Sequence, residues 1–416
     1  MKDGCKIDME FVFNDDQKRV IDAGVRHLLS SSGDPVFQFS GEAGTGKSVV
    51  MHEIYRQSGV NLLQIAPMAY VGQAAIVMRL KGFPNAKTIH SWIYNTEIAP
   101  KYNKKEEMFQ VNDYLGTFDT AIKFTPKPLD GIKYFFIDEG GTVPMSLYPD
   151  IVRQDKRIVV AGDINQLPPV NDTPAFLYDP SKVMFLTQVM RQKEGSGILF
   201  IAKKALAGEL FPNAFYGDAL VIYEDELTND LLLGADMILC GTNRTRDKYT
   251  HIIRNEIRGI TSDLPIFGEK VICRKNDWQI EVNGIGLGNG IIGTVANMPE
   301  VSSFYDSGKK SDCFLMDFKP DLFDGIFYDL DVNFPYIKAN SKEKAKMKNN
   351  PYLQGHLFDF AYANTVHLTQ GGQYRKVIYI EENVFDRETQ RKLNYTACTR
   401  ATDQLIYVKK RYRKYY

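Results

Sequence analysis

Runs of apolar residues and helical apolar stripes alternate along most of the chain, and this alternation predicts a protein of the α/β class. The clearest unit spans Val36 to Tyr55, where an apolar run enters a glycine-rich loop and leaves as an apolar helical segment. Before it, the stripe from Phe13 to Leu29 predicts an amphipathic helix. After it, the pattern predicts a helix over 69–80 and four more strands, at 62–67, 132–139, 157–163 and 183–187.

The alternation begins again after residue 190, so we expect a second α/β unit without a glycine-rich loop of its own. Its predicted elements are a helix at 198–207, a strand at 236–242, an arginine-rich helix from 243, and strands within 358–380 and 393–408.

Two stretches break this pattern and predict insertions. Residues 94–130 are polar and predict an inserted hairpin or subdomain, whereas 266–355 hold short β-rich runs that predict a small barrel. The lysine-rich run 339–350 is interpreted as a solvated loop in preference to a nucleic-acid contact.

The loop GEAGTGKS has the spacing of a phosphate-binding loop. Its backbone N–H groups would surround the phosphates of a nucleotide, because glycine lets the backbone approach an anion closely. Lys47 is expected to reach the β- and γ-phosphate oxygens, and the Ser48 hydroxyl to hold Mg²⁺. The predicted phosphate-binding residues are Gly41, Gly44, Thr45, Gly46, Lys47 and Ser48.

Polar side chains stand at or just after the carboxyl ends of two predicted strands. Asp138 and Glu139 end the strand at 132–139, where Asp138 could hold Mg²⁺ through water and Glu139 could polarise the attacking water as a general base. Gln166 follows the strand at 157–163 and could sense the γ-phosphate; a turn residue before two prolines is the alternative.

Gln17 supports two compatible interpretations. Asn14 is the predicted N-cap of the first helix, and Gln17 stands three residues later, where a capping box needs it. The second interpretation, as a reader of adenine, depends on the family resemblance described below.

Composition narrows the class of protein without naming a partner. Lys+Arg and Asp+Glu both number 51, so there is no global basic field, although a local basic channel could still hold a nucleic acid. The five cysteines form no C-x-x-C pair, so we expect reduced, mostly buried thiols without a zinc site. No apolar run reaches the roughly 18 residues of a membrane span, and we expect a soluble, cytoplasmic protein without membrane partners.

Eight short motifs occur in order and together resemble the motif series of superfamily 1 helicases. They are GEAGTGKS, APMAYVGQAA, TIHSWI, FFIDEGG, VVAGDINQLPPV, LTQVMRQ, YANTVHLTQGGQ and NYTACTRA. Within that superfamily the chain is most similar to the compact RecD/Dda branch. The resemblance implies two RecA-like motor domains, at 1–93 with 131–189 and at 190–265 with 357–416. It also implies a pin-like subdomain at 94–130 and an SH3-like β-barrel at 266–356.

Carried onto the matching positions, the resemblance implies an ATP site between the two motor domains. Gln17 would contact the adenine, and Gly371 would lie at the nucleotide. Arg191 and Arg400 match two arginines that reach the γ-phosphate from the second domain, a type of residue that adds roughly 10³ to 10⁵ in rate. The implied catalytic residues are Lys47, Glu139, Gln166, Arg191 and Arg400.

The same carry-over implies a path for single-stranded DNA across both domains. Short hydroxyl and backbone donors suit phosphates, and histidine and tryptophan rings can stack on bases without reading sequence. Core packing is an equally good interpretation of Trp92. The matching positions are Pro67, Ala69, Thr88, His90, Trp92, Thr365 and His367.

Three departures from the family pattern involve four residues. Leu368 stands where a lysine often follows the motif histidine, Gln373 replaces a frequent acid, and Gly140-Gly141 replaces serine or alanine. None of the three removes a catalytic group.

The expected function is that of an ATP-dependent DNA helicase that moves 5′→3′ on single-stranded DNA and engages single-strand/duplex junctions. We expect a monomer from a bacterium or an infected bacterial cell that works with replication, recombination or repair proteins. One alternative is a translocase that displaces bound proteins and unwinds poorly. Another is a binding module with an inactive ATP site, which the intact catalytic set disfavours.

Overall fold

The computed structural model describes residues 12–100, 120–190, 195–301, 305–306, 309–310, 312–348, 350, 353–383 and 385–411. Helices in the first part of the chain are α1 (Asp15–Leu29), α2 (Lys47–Ser58), α3 (Gly72–Leu80), α4 (Ile89–Ile93) and α5 (Tyr148–Val152). Strands there are β1 (Val36–Gly41), β2 (Ile65–Ala69), β3 (Lys87–Thr88), β4 (Tyr94–Pro100), β5 (Thr120–Pro126), β6 (Tyr134–Asp138), β7 (Arg157–Gly162) and β8 (Val183–Leu186).

Six of these strands form a parallel sheet in the order β3-β2-β6-β7-β1-β8. Its strands are apolar along nearly their whole length because helices and loops cover both faces of the sheet. The unit predicted over Val36 to Tyr55 is confirmed as β1, its loop and α2. The loop therefore opens at the carboxyl edge of the sheet, where ligands of parallel α/β sheets bind.

The predicted insertion after residue 93 begins as an antiparallel hairpin. Strands β4 and β5 pair without interruption from Tyr94 opposite Pro126 to Pro100 opposite Thr120. Residues 101–119, which include most of the predicted pin, lie outside the described part of the chain.

The rest of the chain forms a second parallel sheet and an antiparallel one. Helices there are α6 (Gly197–Ala207), α7 (Asn229–Gly234), α8 (Asn243–His251), α9 (Phe334–Lys338), α10 (Ser341–Lys348) and α11 (Arg387–Cys398), with a π-helix at Ile252–Ile257. Strands are β9 (Ala219–Tyr223), β10 (Met237–Cys240), β11 (Lys270–Cys273), β12 (Asp277–Val282), β13 (Ile285–Leu287), β14 (Ile292–Val295), β15 (Glu300–Val301), β16 (Tyr305–Asp306), β17 (Lys309–Lys310), β18 (Cys313–Pro320), β19 (Phe327–Asn333), β20 (Phe358–Phe360), β21 (Ala363–Thr365), β22 (Tyr374–Ile380) and β23 (Ala401–Lys409).

The second parallel sheet has the order β21-β10-β22-β23-β9 and confirms the predicted second α/β unit. The β-rich stretch forms a mostly antiparallel assembly ordered β15-β18-β14-β11-β20, with β19 on the other edge of β18. Ile76 of α3 is part of the core of this assembly, so the insertion packs on the first α/β unit.

Two expectations about the insertion were wrong. The run 339–350 was predicted as a loop, but its greater part is helix α10, since Lys344 pairs with the buried Asp359 at 2.8 Å. Resumption of the α/β pattern was expected at Phe358, but β20 pairs with β11 in the antiparallel sheet. The second parallel sheet resumes only with β21.

Cys240, Cys273, Cys313 and Cys398 are buried, as predicted. Among the described residues, no helix combines the length and apolar character needed to cross a membrane.

Candidate nucleotide-binding site

The loop after β1 has the backbone shape of an anion cradle. Gly44 and Gly46 have φ values of 85° and 87°, in the left-handed region that favours glycine. A Cβ on Gly46 would come within 2.7 Å of Gln17 Nε2, and one on Gly41 would overlap the Thr45 hydroxyl. A side chain at either position would therefore fill the cradle, and this fits a bound polyphosphate.

Lys47 opens α2 and points back over the loop. Its Nζ donates to the carbonyl oxygens of Gly41 at 2.8 Å and Glu42 at 3.1 Å. These are neutral acceptors that a phosphate oxygen would outcompete, because its negative charge adds a direct attraction to the ammonium group. Glu42 also pairs with Lys203 of α6 at 3.4 Å, which joins the loop to the second unit.

Gln17 connects the first helix to the loop. Its Oε1 accepts from Asn14 N at 3.1 Å while Asn14 Oδ1 accepts from Gln17 N at 2.9 Å, so the predicted capping box is confirmed. Its Nε2 donates to Thr45 O at 3.0 Å, and the side chain is fully buried. The residue thus positions the phosphate loop in this structure, and adenine contact remains a prediction.

Ser48 and Asp138 are the two residues predicted to bind Mg²⁺. Asp138 ends β6 and is almost fully buried, and burial together with the neighbouring Glu139 charge raises the pKa of its carboxyl group. Lys81 and Lys47 act in the opposite direction on that pKa. A buried carboxylate and a hydroxyl are hard oxygen donors, so this pair fits a divalent cation.

Glu139 is held in a strained backbone conformation with φ 53°. Its carbonyl accepts from Thr142 N at 2.9 Å and from the Thr142 hydroxyl at 2.7 Å, which fixes the turn after β6. Gly140 comes next, and a Cβ there would overlap Val160 of β7. The departure from serine or alanine at this position therefore has a packing cause.

The segment after β7 reaches the second unit. Asp163 is buried and its Oδ2 accepts from the Tyr395 hydroxyl of α11 at 2.8 Å. Leu167 N donates to Thr396 Oγ1 at 2.9 Å, and Leu167 O accepts from Gln370 Nε2 at 3.2 Å.

Gln166 lies within this contact between the two units and is buried. Among the residues that the structure describes, no donor reaches its Oε1. An acceptor oxygen of this kind suits an attacking water, which fits the predicted role near the γ-phosphate.

The structure gives less direct support for three other residues predicted to contact the nucleotide. Arg400 is buried and donates within its own unit, to Thr396 O at 3.3 Å and Gly372 O at 3.1 Å. Gly371, with φ 81°, has its closest approach to Ala74 of α3, where a Cβ would meet Ala74 Cβ at 2.7 Å. This glycine therefore serves packing between the units, and no contact here supports its nucleotide role. Arg191 lies outside the described residues.

The candidate DNA-contact residues of the first unit lie at the carboxyl end of its sheet. Pro67 and Ala69 are buried in β2 and offer no side-chain surface. Thr88 is buried and caps α4 through Ser91 N at 3.3 Å. Trp92 packs against the core and donates from Nε1 to Pro67 O at 2.8 Å, which favours its packing interpretation.

His90 lies in an aromatic cluster at the base of the β4–β5 hairpin. Its ring centroid is 5.9 Å from that of Tyr70, 5.8 Å from Tyr94 and 5.7 Å from Phe124. Burial lowers the pKa of His90, so its ring is neutral near pH 7. A neutral ring beside the half-exposed Phe124 suits base stacking better than phosphate binding.

Thr365 and His367 lie at the carboxyl end of β21, at the corresponding edge of the second sheet. Both are half-buried, and burial lowers the pKa of His367 as well. Its ring is 6.5 Å from that of Phe385.

Comparison with known proteins agrees with this arrangement. Residues 12–214 match the AAA domain family, and residues 360–408 match the UvrD-like helicase C-terminal domain family. The first match covers the first α/β unit, and the second covers the end of the second unit. A protein of Methanocaldococcus jannaschii described as uncharacterized is 22% identical over 95% of this chain, which spans 38% of that relative.

Solved structures of Pif1 helicases share the fold. The Candida albicans Pif1 helicase has a TM-score of 0.55 and 16% identity, over 95% of this chain and 94% of that one. Bacteroides Pif1 bound to ssDNA has a TM-score of 0.55 and 16% identity, over 96% and 92%. The two parallel sheets of this chain therefore share the fold of the two RecA-like domains of these structures.

Sequence reasoning missed several residues that the fold brings to the site. Lys81 donates to Ser48 Oγ at 3.1 Å from the end of α3, and no local motif indicates this contact. Asp163 and Tyr395 stand inside the recognised motifs, and the acid at the end of an apolar strand was the available signal.

Proposed function

We propose that this chain is an ATP-dependent DNA helicase in which ATP is hydrolysed between the two RecA-like units. One observation carries the proposal. The phosphate loop, the acids after β6 and Gln166 after β7 share one sheet edge, and the segment carrying Gln166 is hydrogen-bonded to helix α11 of the second unit.

The roles of the side chains follow from their positions. Lys47 would exchange its carbonyl acceptors for β- and γ-phosphate oxygens. Glu139 would orient and deprotonate the attacking water, and the unpaired Gln166 Oε1 would accept a hydrogen bond from it. Ser48 and Asp138 would hold Mg²⁺, which supplies charge neutralisation of the β- and γ-phosphate oxygens when bound.

Arg400 supports coupling of hydrolysis to motion. Its guanidinium is bonded to carbonyls of its own unit, so it must be released and reoriented to reach a phosphate on the phosphate loop. A catalytic arginine supplied from the other side of a cleft acts only when the cleft is closed. Hydrolysis would thereby depend on the relative position of the two units, and Arg191 would assist from the same side.

The Pif1 structures support DNA as the track, since relatives in that set are described as bound to ssDNA or acting at forked dsDNA. The finer proposals rest on the motif resemblance: membership of the RecD/Dda branch, 5′→3′ movement, a strand-separating pin at 94–130 and an SH3-like insert. The hairpin β4–β5 with its aromatic base supports the pin. A translocase with little unwinding is the second candidate, and deletion of residues 94–130 would leave its activity unchanged.

The test is ATP-driven unwinding of two matched duplexes, one with a 5′ and one with a 3′ single-stranded tail. Lys47→Ala serves as the inactive control. We expect only the 5′-tailed duplex to open, and Lys47→Ala to lose turnover while it still binds DNA. Opening of only the 3′-tailed duplex would overturn the branch and polarity. DNA-stimulated ATPase without unwinding would favour the translocase, and retained ATPase in Lys47→Ala would refute the site.

A further inference from the structure

Lys81 places a cationic group on Ser48, one of the two residues predicted to hold Mg²⁺. Its Nζ donates to Ser48 Oγ at 3.1 Å, and its charge lowers the pKa of the buried carboxyl group of Asp138. Ser48 and Asp138 are the same two residues that fit Mg²⁺. The lysine therefore contacts one presumed metal ligand and acts electrostatically on the other.

The base of this side chain is anchored. Lys81 ends α3, and its backbone N–H donates to the carbonyl oxygens of Val77 at 3.1 Å and Met78 at 3.1 Å. Gly82 follows with φ 101°, and a Cβ there would meet His52 Nε2 of α2 at 2.6 Å. Phe83 is buried against His52, with ring centroids 5.7 Å apart. The turn thus fixes the Lys81 Cα beside the start of the helix that carries Ser48.

The position of Lys81 matters because two carboxylates lie in the same site. Asp138 and Glu139 bring two carboxylates to a partly buried site, and uncompensated charge there is costly. An ammonium group offsets part of that cost while no metal is bound. Mg²⁺ at the same ligands would be repelled by the ammonium, and Ser48 would have to give up its lysine donor for coordination.

We propose that Lys81 is a tethered cation that occupies the Mg²⁺ position of the nucleotide-free site and must leave when Mg²⁺ binds. It is a positioning residue that makes metal binding weaker and metal release easier. This inference rests on the proposed nucleotide site, since it gives Ser48 and Asp138 their role as metal ligands.

The experiment measures Mg²⁺ binding without turnover. A fluorescent ADP analogue is bound to the full chain in EDTA, Mg²⁺ is titrated in, and the half-saturating Mg²⁺ concentration is recorded. For Lys81→Met we expect this concentration to fall about tenfold, the scale of one charge–charge interaction in a medium between protein and water. Lys81→Arg keeps the cation and should stay near the unmodified protein.

Lys182→Met is the matched control, because it removes the same charge from an exposed position before β8, at the opposite edge of the sheet. It should leave the Mg²⁺ midpoint unchanged. An unchanged or higher Mg²⁺ midpoint in Lys81→Met would overturn the proposal. Equal weakening of ADP binding with and without Mg²⁺ would also overturn it, because Lys81 would then be a phosphate ligand. If the unmodified protein fails to bind ADP even with Mg²⁺, the nucleotide site itself is refuted.

Discussion

The hydrogen bond between Tyr395 and Asp163 gives the sharpest test of how the two units communicate. It spans 2.8 Å between α11 and the segment after β7, and both residues are buried. Burial raises the pKa of Asp163, and the Lys47 charge and the Tyr395 hydroxyl both lower it. Tyr395→Phe removes the hydroxyl and keeps the ring, so it isolates this one bond.

The expected loss follows from the kind of bond. A hydrogen bond to a charged group contributes about 1.5–3 kcal/mol. At roughly 2–4 °C per kcal/mol for units of 150–250 residues, a loss of about 2 kcal/mol lowers the melting temperature by about 4–8 °C. The hydroxyl favours ionised Asp163 and so lowers its pKa in the folded state. The stabilisation that this hydrogen bond gives to the folded protein is therefore present at high pH and fades as the pH falls through the pKa of Asp163.

Thermal unfolding of both proteins at several pH values measures this loss. Tyr379→Phe is the control, since its hydroxyl donates to Asn394 Oδ1 at 2.7 Å inside the second unit. That bond is between neutral groups, so we expect a loss of about 1 kcal/mol without the same pH dependence. DNA stimulation of the ATPase should fall in Tyr395→Phe alone. If Tyr395→Phe lowers the melting temperature no more than Tyr379→Phe does, or lowers it by the same amount at every pH, this account of the hydrogen bond is wrong.

Two further substitutions test packing and capping. Gly140→Ala forces a Cβ onto Val160, so we expect the free energy of unfolding in a urea titration to fall by about 1–3 kcal/mol. Gly234→Ala is the control: a Cβ there meets nothing within 4 Å, so this change should be neutral or stabilising. Equal results for the two variants would contradict the packing account. Glu382→Gln weakens a buried carboxylate that accepts from two backbone N–H groups and two threonine hydroxyls, so about 2–3 kcal/mol should be lost in the same titration. Glu382 accepts from Gly241 N and Thr242 N, just before α8 begins. The exposed Glu388→Gln is its control, and a Glu382→Gln protein as stable as that control would show that Glu382 does not stabilise the start of α8.

The parts of the fold that local rules determine could be predicted from the sequence. Parallel strands covered on both faces are apolar throughout, and the spacing of the phosphate loop is specific, so β1, α2 and the acids after β6 were recognised directly. The first helix was predicted with its cap because the capping box is a contact between residues three apart.

The failures share a different cause, since each depends on a contact between distant residues. The run 339–350 has the composition of a loop, but Lys344 is held by Asp359 and Arg246 donates to Ser341 at 3.0 Å. The contact of Gly371 with Ala74 of α3 could not be inferred from its motif, and its position at the nucleotide stays a prediction. Lys81 has no motif at all, because its role depends on a turn that brings α3 against α2.

Helix α3 contacts the second unit and the insertion, and Lys81 at its end contacts the helix after the phosphate loop. Ala74 packs on Gly371 of the second unit, and Arg79 donates to Gly284 O at 2.8 Å and lies 5.1 Å from the Trp278 ring of the insertion. At its end, Lys81 reaches Ser48. Because a short helix moves as a rigid body, any displacement of the second unit or the insertion that shifts α3 also shifts Lys81 relative to the metal ligands. Release of Lys81 from Ser48 and reorientation of the two units can therefore be one event, which would make Mg²⁺ affinity depend on the position of the insertion.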